Sequence, residues 1–466
     1  MAMTHPETVS ASKSDATEPN RILHAIAWRW HFYAGLYVIP FLVMLASTGM
    51  IMLWVSAVTE LKGERSYVPV TGPALQVSAL QAAALAAVPG GTLAQYVEPM
   101  GEGRVALMRV NVADEATGVL LNPYTGEVVQ TFVWGDGWYD LANKIHGTLL
   151  IGDLGDRLIE ITASLGILMV VSGVYLHWPR NAGRRMLPRL AAKGRGFWVS
   201  LHGVVGLWAS GLMLVFLISG LSWAGVWGGK LVQAWNTFPA EKFDAPLSDK
   251  THAEMGHATA NDTPWTLEQT PVPASGSLKG MAAIAGPVTL DSAVAFARGL
   301  GFQGRFQLSL PGAADGVWTI SHDSMSNDGP RPWQDRTLHI DQYTGNVLAD
   351  VQFADYSPYA KAMAVGVAFH EGDLGAWNMA LNTVFCLTMI FLSVSGVVMW
   401  WKRRPAKAGR LVAPPKPEDA PLQKGAALLV VVVGLAFPMA GAAIVAILAF
   451  DWLVIRRLPA LNRALS

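Results

Sequence analysis

Four histidines, His31, His146, His202 and His370, stand at matching places beside long apolar runs. Imidazole titrates near neutrality and ligates transition metals through a bare ring nitrogen. An ionisable side chain at membrane depth is costly and marks a functional position. His31 is followed by Gly35-Leu36-Tyr37 and then Thr48-Gly49, and His202 by Gly206-Leu207-Trp208 and then Ser219-Gly220; the interval from histidine to the later glycine is 18 residues in both. His146 precedes a GDLG string at 152–155 and Ser172-Gly173-Val174, and His370 precedes GDLG at 372–375 and Ser395-Gly396-Val397, with intervals of 27 and 26 residues. One histidine at a membrane edge is ordinarily an interfacial residue. Four at corresponding positions point to metal ligation, because helix packing would accept many apolar residues there. Electron transfer through such ligands needs no proton-transferring side chain, so no catalytic residue is assigned.

The remaining histidines carry less. His177 faces a membrane edge, where its counterpart in the repeat is Trp400, and reads as an interfacial side chain able to replace one member of a ligand pair. His24 is expected at the membrane surface. His5, His252, His257, His322 and His339 fall in the tail or in polar segments.

The elements that must position the four are membrane helices. Uncharged runs at 32–58, 161–178, 197–229 and 376–401 are each long enough to cross a hydrocarbon core, which takes roughly 20 helical residues. A fifth run, 425–450, contains Pro438 and reads either as one kinked span or as a helical hairpin. Arg180, Arg184, Arg185, Arg189, Lys193 and Arg195 follow the second run, and Lys402, Arg403, Arg404, Lys407 and Arg410 follow the fourth. Basic loops stay cytoplasmic. The acidic stretch between the first and second runs, and the long segment between the third and fourth, are then extracytoplasmic. His31 and His202 lie at the cytoplasmic ends of their helices, and His146 and His370 near the external ends.

The unit of span, external segment and span occurs twice in one orientation, a parallel repeat about an axis along the membrane normal. Equivalent histidines face each other across it, in two pairs at different depths. The external segments echo one another in Asn122-Pro123-Tyr124-Thr125-Gly126 and Asp341-Gln342-Tyr343-Thr344-Gly345, which read as structural turns rather than active sites. The second segment predicts a helix over 288–300 capped by Asp291, and strands at 305–310, 316–322, 336–341 and 346–352. The stretch 244–279, rich in Pro, Thr and Ser, reads as an exposed insertion. Trp134, Trp138 and Tyr139, just before His146, are candidates for contact with an external substrate.

Composition narrows the rest. With 52% hydrophobic and 15% charged residues the chain reads as a membrane protein, and zero net charge gives no footprint of nucleic-acid binding. The single cysteine, Cys386, excludes an intrachain disulfide and a Cys-based cluster, and CxxCH is absent, so any haem is held without covalent attachment. No GxGxxG loop opens a soluble βα unit, so electrons are expected from an external donor.

The sequence resembles the PepSY-associated transmembrane family, which includes iron-regulated membrane proteins and ferric-siderophore reductases. The resemblance rests on the H-x3-G-L-[YW] pattern at His31 and His202, the GDLG strings after His146 and His370, the SGV strings ending in HWPR and WWKRRP, and the two Tyr-Thr-Gly turns. It covers roughly 21–404. It implies four helices with two external PepSY-like domains, two b-type haems, and delivery of electrons to a ferric siderophore or other ferric chelate on the periplasmic side. The haem-iron axial ligands it implies are His31, His146, His202 and His370.

The expected fold is a polytopic α-helical membrane protein of the bacterial inner membrane. It has a four-helix core, a C-terminal hydrophobic segment, and two extracytoplasmic α+β PepSY-like domains in a parallel internal repeat. Its parts are a flexible cytoplasmic tail (1–20), helix 1 (21–58), a first PepSY-like domain (59–140), the His146 segment with helix 2 (141–178) and a basic loop (179–196). Helix 3 (197–229), a second PepSY-like domain (230–365), the His370 segment with helix 4 (366–401), a second basic loop (402–424) and the C-terminal segment (425–466) complete it. The expected activity is that of a transmembrane ferric-reductase-type oxidoreductase, with a cytoplasmic or quinol donor. Two rivals are a non-enzymatic, membrane-anchored PepSY binding or inhibitory protein, which gives the histidines no reason to repeat, and a metal or siderophore transporter, which predicts polar groups at the span centres.

Overall fold

A computed structural model describes residues 18–60, 62–113, 115–178, 186–233, 240–254, 264–326, 328–405, 410–414, 424–454 and 457–458. Most of the N-terminal tail, the first half of the 179–196 loop, His5 and His257 lie outside the described residues. The chain divides into two compact units, one of Met1–Val43, Glu160–Leu217 and Thr388–Ser466, the other of Met44–Ile159 and Ile218–Leu387.

The first unit is helical. Among the described residues four helices are long and apolar enough to cross a membrane: α1 (Glu18–Thr59), α4 (Asp153–His177), α5 (Arg195–Leu221) and α8 (Ala376–Arg403). Within this unit Val38 and Leu42 of α1 pack on Leu165 of α4 and on Ala440. The C-terminal run forms two helices, α9 (Lys424–Ala436) and α10 (Pro438–Leu453), each too short to span alone. A Cβ built on Gly441 would stand 2.9 Å from the Cα of Gly434. Two residues seven apart on a continuous helix are about 10 Å apart, so the chain folds back at Phe437 as a hairpin.

In the second unit strands from both external segments join one nine-stranded sheet, beside a two-stranded one. β1 (Thr92–Val97), β2 (Ala106–Val112), β3 (Glu115–Leu121) and β4 (Val128–Val133) come from the first external segment. After β5 (Leu247–Thr251) and β6 (Pro271–Pro273), the second supplies β7 (Met281–Ala282), β8 (Gln307–Ser309), β9 (Val317–His322), β10 (Arg336–Asp341) and β11 (Asn346–Gln352). The order β4-β3-β2-β1-β8-β9-β10-β11-β7 makes nine strands continuous. Antiparallel pairing of β1 with β8 makes the join, with Gln95 opposite Ser309 and the buried Gln95 amide donating to Gln307 at 2.8 Å.

Alternation along the strands sorts the two faces. Ala106, Met108 and Val110, with Leu338 and Ile340, pack against α2 (Val77–Ala87) and α6 (Leu290–Gly299). Leu107, on the opposite face, joins Val68, Val97 and Trp134. Both Tyr-Thr-Gly turns close in the same way. Asn122 Oδ1 accepts from Tyr124 N and Asp341 Oδ1 from Tyr343 N, at 2.9 and 2.8 Å, and Gly126 and Gly345 take φ of 75° and 71°, where a side chain is strained.

Four expectations need correction. The described part of the 244–279 insertion is only partly exposed: β5 pairs with β6, and His252, Trp265 and Leu267 are buried, while Leu247 and Leu278 are exposed. Helix α6 is capped by Thr289, not Asp291, through a reciprocal bond with Ser292. The third span ends at Leu221, and a π-helical turn at Trp227–Val232 follows. Trp134 is core, stacked on Phe132 beneath the cations of Lys62 and Arg109, which leaves Trp138 as the exposed member of that cluster.

Candidate cofactor centre

Each of the four histidines is held by its Nδ1. His31 of α1 places Nδ1 3.0 Å from the Met169 carbonyl and 3.2 Å from the Ser172 hydroxyl, both on α4. His202 of α5 places it 2.7 Å from the Ser395 hydroxyl of α8. His146, on α3 (Trp138–Thr148), meets Thr48 of α1 at 2.9 Å, and His370, on α7 (Pro358–Glu371), meets Ser219 of α5 at 2.8 Å.

In every case the residue after the hydroxyl is glycine, and the ring rests against it. A Cβ there would stand 2.9 Å from His31 Cε1 at Gly173, 3.8 Å from His202 at Gly396, 3.5 Å from His146 at Gly49 and 3.4 Å from His370 at Gly220. Read along the sequence, the Ser/Thr-Gly strings are echoes of a repeat. In space they are seats for the four imidazoles.

The seats fix the tautomer. Ser172, Ser395 and Thr48 donate their hydroxyl protons to helix carbonyls, of Met169 at 3.0 Å, Leu392 at 3.0 Å and Met44 at 2.9 Å. Each hydroxyl oxygen therefore accepts from its histidine, so Nδ1 carries the hydrogen and Nε2 keeps the lone pair. That is the form in which imidazole binds a metal, with its second nitrogen oriented by a hydrogen bond.

His31 and His202 are brought together. Their ring centroids lie 6.4 Å apart with planes at 88°. A ligating nitrogen sits about 2 Å from its metal and about 1 Å from its own ring centroid, so two rings trans on one ion have centroids about 6 Å apart. Of the four repeated histidines, His31 and His202 make this ring-to-ring approach; His370 meets the edge of Trp223 at 5.8 Å. His31 and His202 line an apolar cavity of about 520 Å³, together with Trp28, Phe32, Met389 and Leu392.

A family model, the PepSY-associated TM region, matches residues 28–403. The chain belongs to this family. No curated protein matches it.

The sequence reading of this PepSY-associated chain passes over several residues that build the site. His24 and His177 also line the cavity, so His24 is not simply at the membrane surface. Gly203, next to His202, makes room for His177: a Cβ there would stand 2.2 Å from its Nδ1. Asn378 and Asn382, fully buried on α8, donate to the carbonyls that end α7: Asn378 to Phe369 at 3.0 Å, and Asn382 to Phe369 at 2.9 Å and His370 at 3.0 Å. Gly372 closes α7 with φ of 96° against Leu53. Two asparagines four apart in an apolar run are the signal that could have found them.

Away from the membrane helices, His252 and His339 form a second, buried pair, with Nε2 atoms 3.0 Å apart. His252 Nδ1 faces the Thr270 carbonyl at 2.8 Å and so carries a hydrogen; its Nε2 then accepts from His339, whose Nδ1 accepts from Thr319. With both rings neutral, all four nitrogens are satisfied.

Proposed function

We propose that this PepSY-associated membrane protein is a haem-binding electron-transfer protein of the ferric-siderophore reductase type. On this reading it resides in the bacterial inner membrane with its N-terminus cytoplasmic and its sheet periplasmic. It takes electrons from a cytoplasmic or quinol donor and reduces a ferric siderophore or other ferric chelate outside. Two b-type haems are held in the parallel repeat, one by His31 and His202, the other by His146 and His370.

The observation that carries the reading is the fourfold seat of hydroxyl and glycine, which leaves a lone-pair Nε2 on His31, His146 and His202 and holds His370 by the same nitrogen. Among the described residues no three His, Cys, Asp or Glu side chains gather as an ion site. Ligands that come in twos suit a metal whose other positions are filled by a macrocycle, and leave a bare ion under-coordinated. At a ring spacing of 6.4 Å His31 and His202 would hold one iron between them, and the apolar cavity has the volume of a ligand pocket.

When bound, haem supplies reversible one-electron chemistry at its iron. The chain's own residues set the conditions for it: the seats hold Nε2 in place, the glycines let a ring or a flat ligand approach the backbone, and Leu, Val and Met side chains exclude water. The test is the absorption spectrum of protein produced with adequate haem, with and without dithionite. A low-spin b-type spectrum, followed by reoxidation on adding a ferric chelate, is expected; its absence ends the proposal.

A further inference from the structure

The cavity around His31 and His202 is unbalanced in charge. Its lining includes two guanidiniums, Arg195 and Arg403, and no Asp or Glu among the described residues. Arg195 opens α5 and Arg403 ends α8. The guanidinium of Arg403 is placed over the rings of Trp28 and Phe32, at 5.2 and 5.3 Å, and donates to the Val412 carbonyl, while its Nε is buried with no hydrogen-bond partner. Arg195 is exposed and Arg403 half-buried, so both can present their charge to an anion at the mouth of the cavity. The helix N-terminus at Arg195 adds partial positive charge of the same sign.

Spacing along the helices ties these charges to the ligands. Arg195 and His202 are seven residues apart on α5, and Gly396 of the His202 seat and Arg403 are seven apart on α8. Seven residues are two turns on one helix face, about 10 Å along the axis. That is the scale from the centre of a porphyrin to carboxylates borne on one of its edges.

We propose that Arg195 and Arg403 receive the two carboxylates of the macrocycle held by His31 and His202, and so fix which edge of it faces the basic loops. This rests on the haem reading above. Guanidinium binds carboxylate through parallel N–H bonds in a fixed fork, which makes the pair an orienting device as well as a source of affinity.

The experiment uses the full chain with His146→Ala and His370→Ala, so that only the site in question remains, reconstituted in lipid nanodiscs and freed of haem. Haem and its dimethyl ester, which lacks the charges, are titrated and followed by the Soret band. Haem is expected to bind at least about tenfold more tightly than the ester. Arg195→Gln with Arg403→Gln should erase that preference, and Arg403→Lys, which keeps the charge, should retain part of it. Equal binding of acid and ester by the arginine-containing protein overturns the proposal and leaves the guanidiniums to another anion such as lipid phosphate. Binding of neither ligand overturns the haem reading, and this inference with it. The comparison of the two ligands stands even if the double glutamine variant fails to fold.

Discussion

The Ser395 hydroxyl on α8 holds the Nδ1 of His202 on α5 at 2.7 Å while giving its own proton to the Leu392 carbonyl. Hydroxyls that orient a ligating imidazole typically contribute about 10–100-fold to metal affinity. Ser395→Ala should therefore weaken haem retention at the site of His31 and His202 by that order, and Ser219→Ala should do the same at the site of His146 and His370. Haem stoichiometry after size-exclusion chromatography reads both. Unchanged retention in both variants would remove the seats from the argument.

The histidines themselves should separate the two sites. His31→Ala is expected to deplete one b-type signal and His370→Ala the other, resolved by redox titration of the α-band. Equal loss of both signals from either variant would argue against two sites.

Glycine at the seats is expected to matter in proportion to the room it leaves. A Cβ at Gly173 would press to 2.9 Å on His31, whereas one at Gly396 would sit 3.8 Å from His202, an ordinary contact. Gly173→Ala should perturb the spectrum and lower occupancy, and Gly396→Ala should be near neutral. The reverse order of effects would contradict the geometry.

Burial, and next the charge His252 would carry, hold the imidazole of His339 well below its ordinary range. As pH falls below about 6.5, unfolded chains protonate there while the fold resists, so the stability tied to this residue is full above that pH and is lost as the medium acidifies. His339→Gln, which keeps a donor toward His252, should flatten this acid limb in thermal unfolding followed from pH 7.5 to 5. An identical pH slope in the variant would show that the pair is not responsible.

Asp335 behaves oppositely. Burial, then the Asp323 carboxylate, push it up to about 9. The folded chain keeps a proton there that the unfolded chain has lost above the ordinary carboxylate range, so its charge penalises stability increasingly as pH rises toward 9. Asp335→Asn, which keeps the oxygen that accepts from Ser324 N, should change stability by less than about 1 kcal/mol below pH 5 and gain on the parent at pH 9.

Much of the architecture was legible. The membrane helices are runs of apolar residues broken by basic loops, and 336–341 and 346–352 alternate cleanly enough that β10 and β11 match in both bounds. What escaped depends on partners distant in sequence. Gln95 and Gln307 carry no local mark of pairing, so the joining of the two segments into one continuous sheet was not legible. The insertion's Pro, Thr and Ser content hid the burial of Trp265 and Leu267. Thr48, Ser172, Ser219 and Ser395 were visible as repeats, but a hydroxyl in an apolar helix ordinarily bonds its own backbone, and nothing along the chain says that it also holds an imidazole.

The pairing of β1 with β8 has a consequence for biogenesis. Its side-chain partners lie 212 residues apart, so the second half of the sheet is synthesised only after α4 and α5. Until then the edge of β1 stands open on the nascent protein, a template for pairing with the wrong strand. Assembly of the sheet is therefore bound to a late event in translation, and protection of that edge during the delay falls to whatever attends the emerging chain.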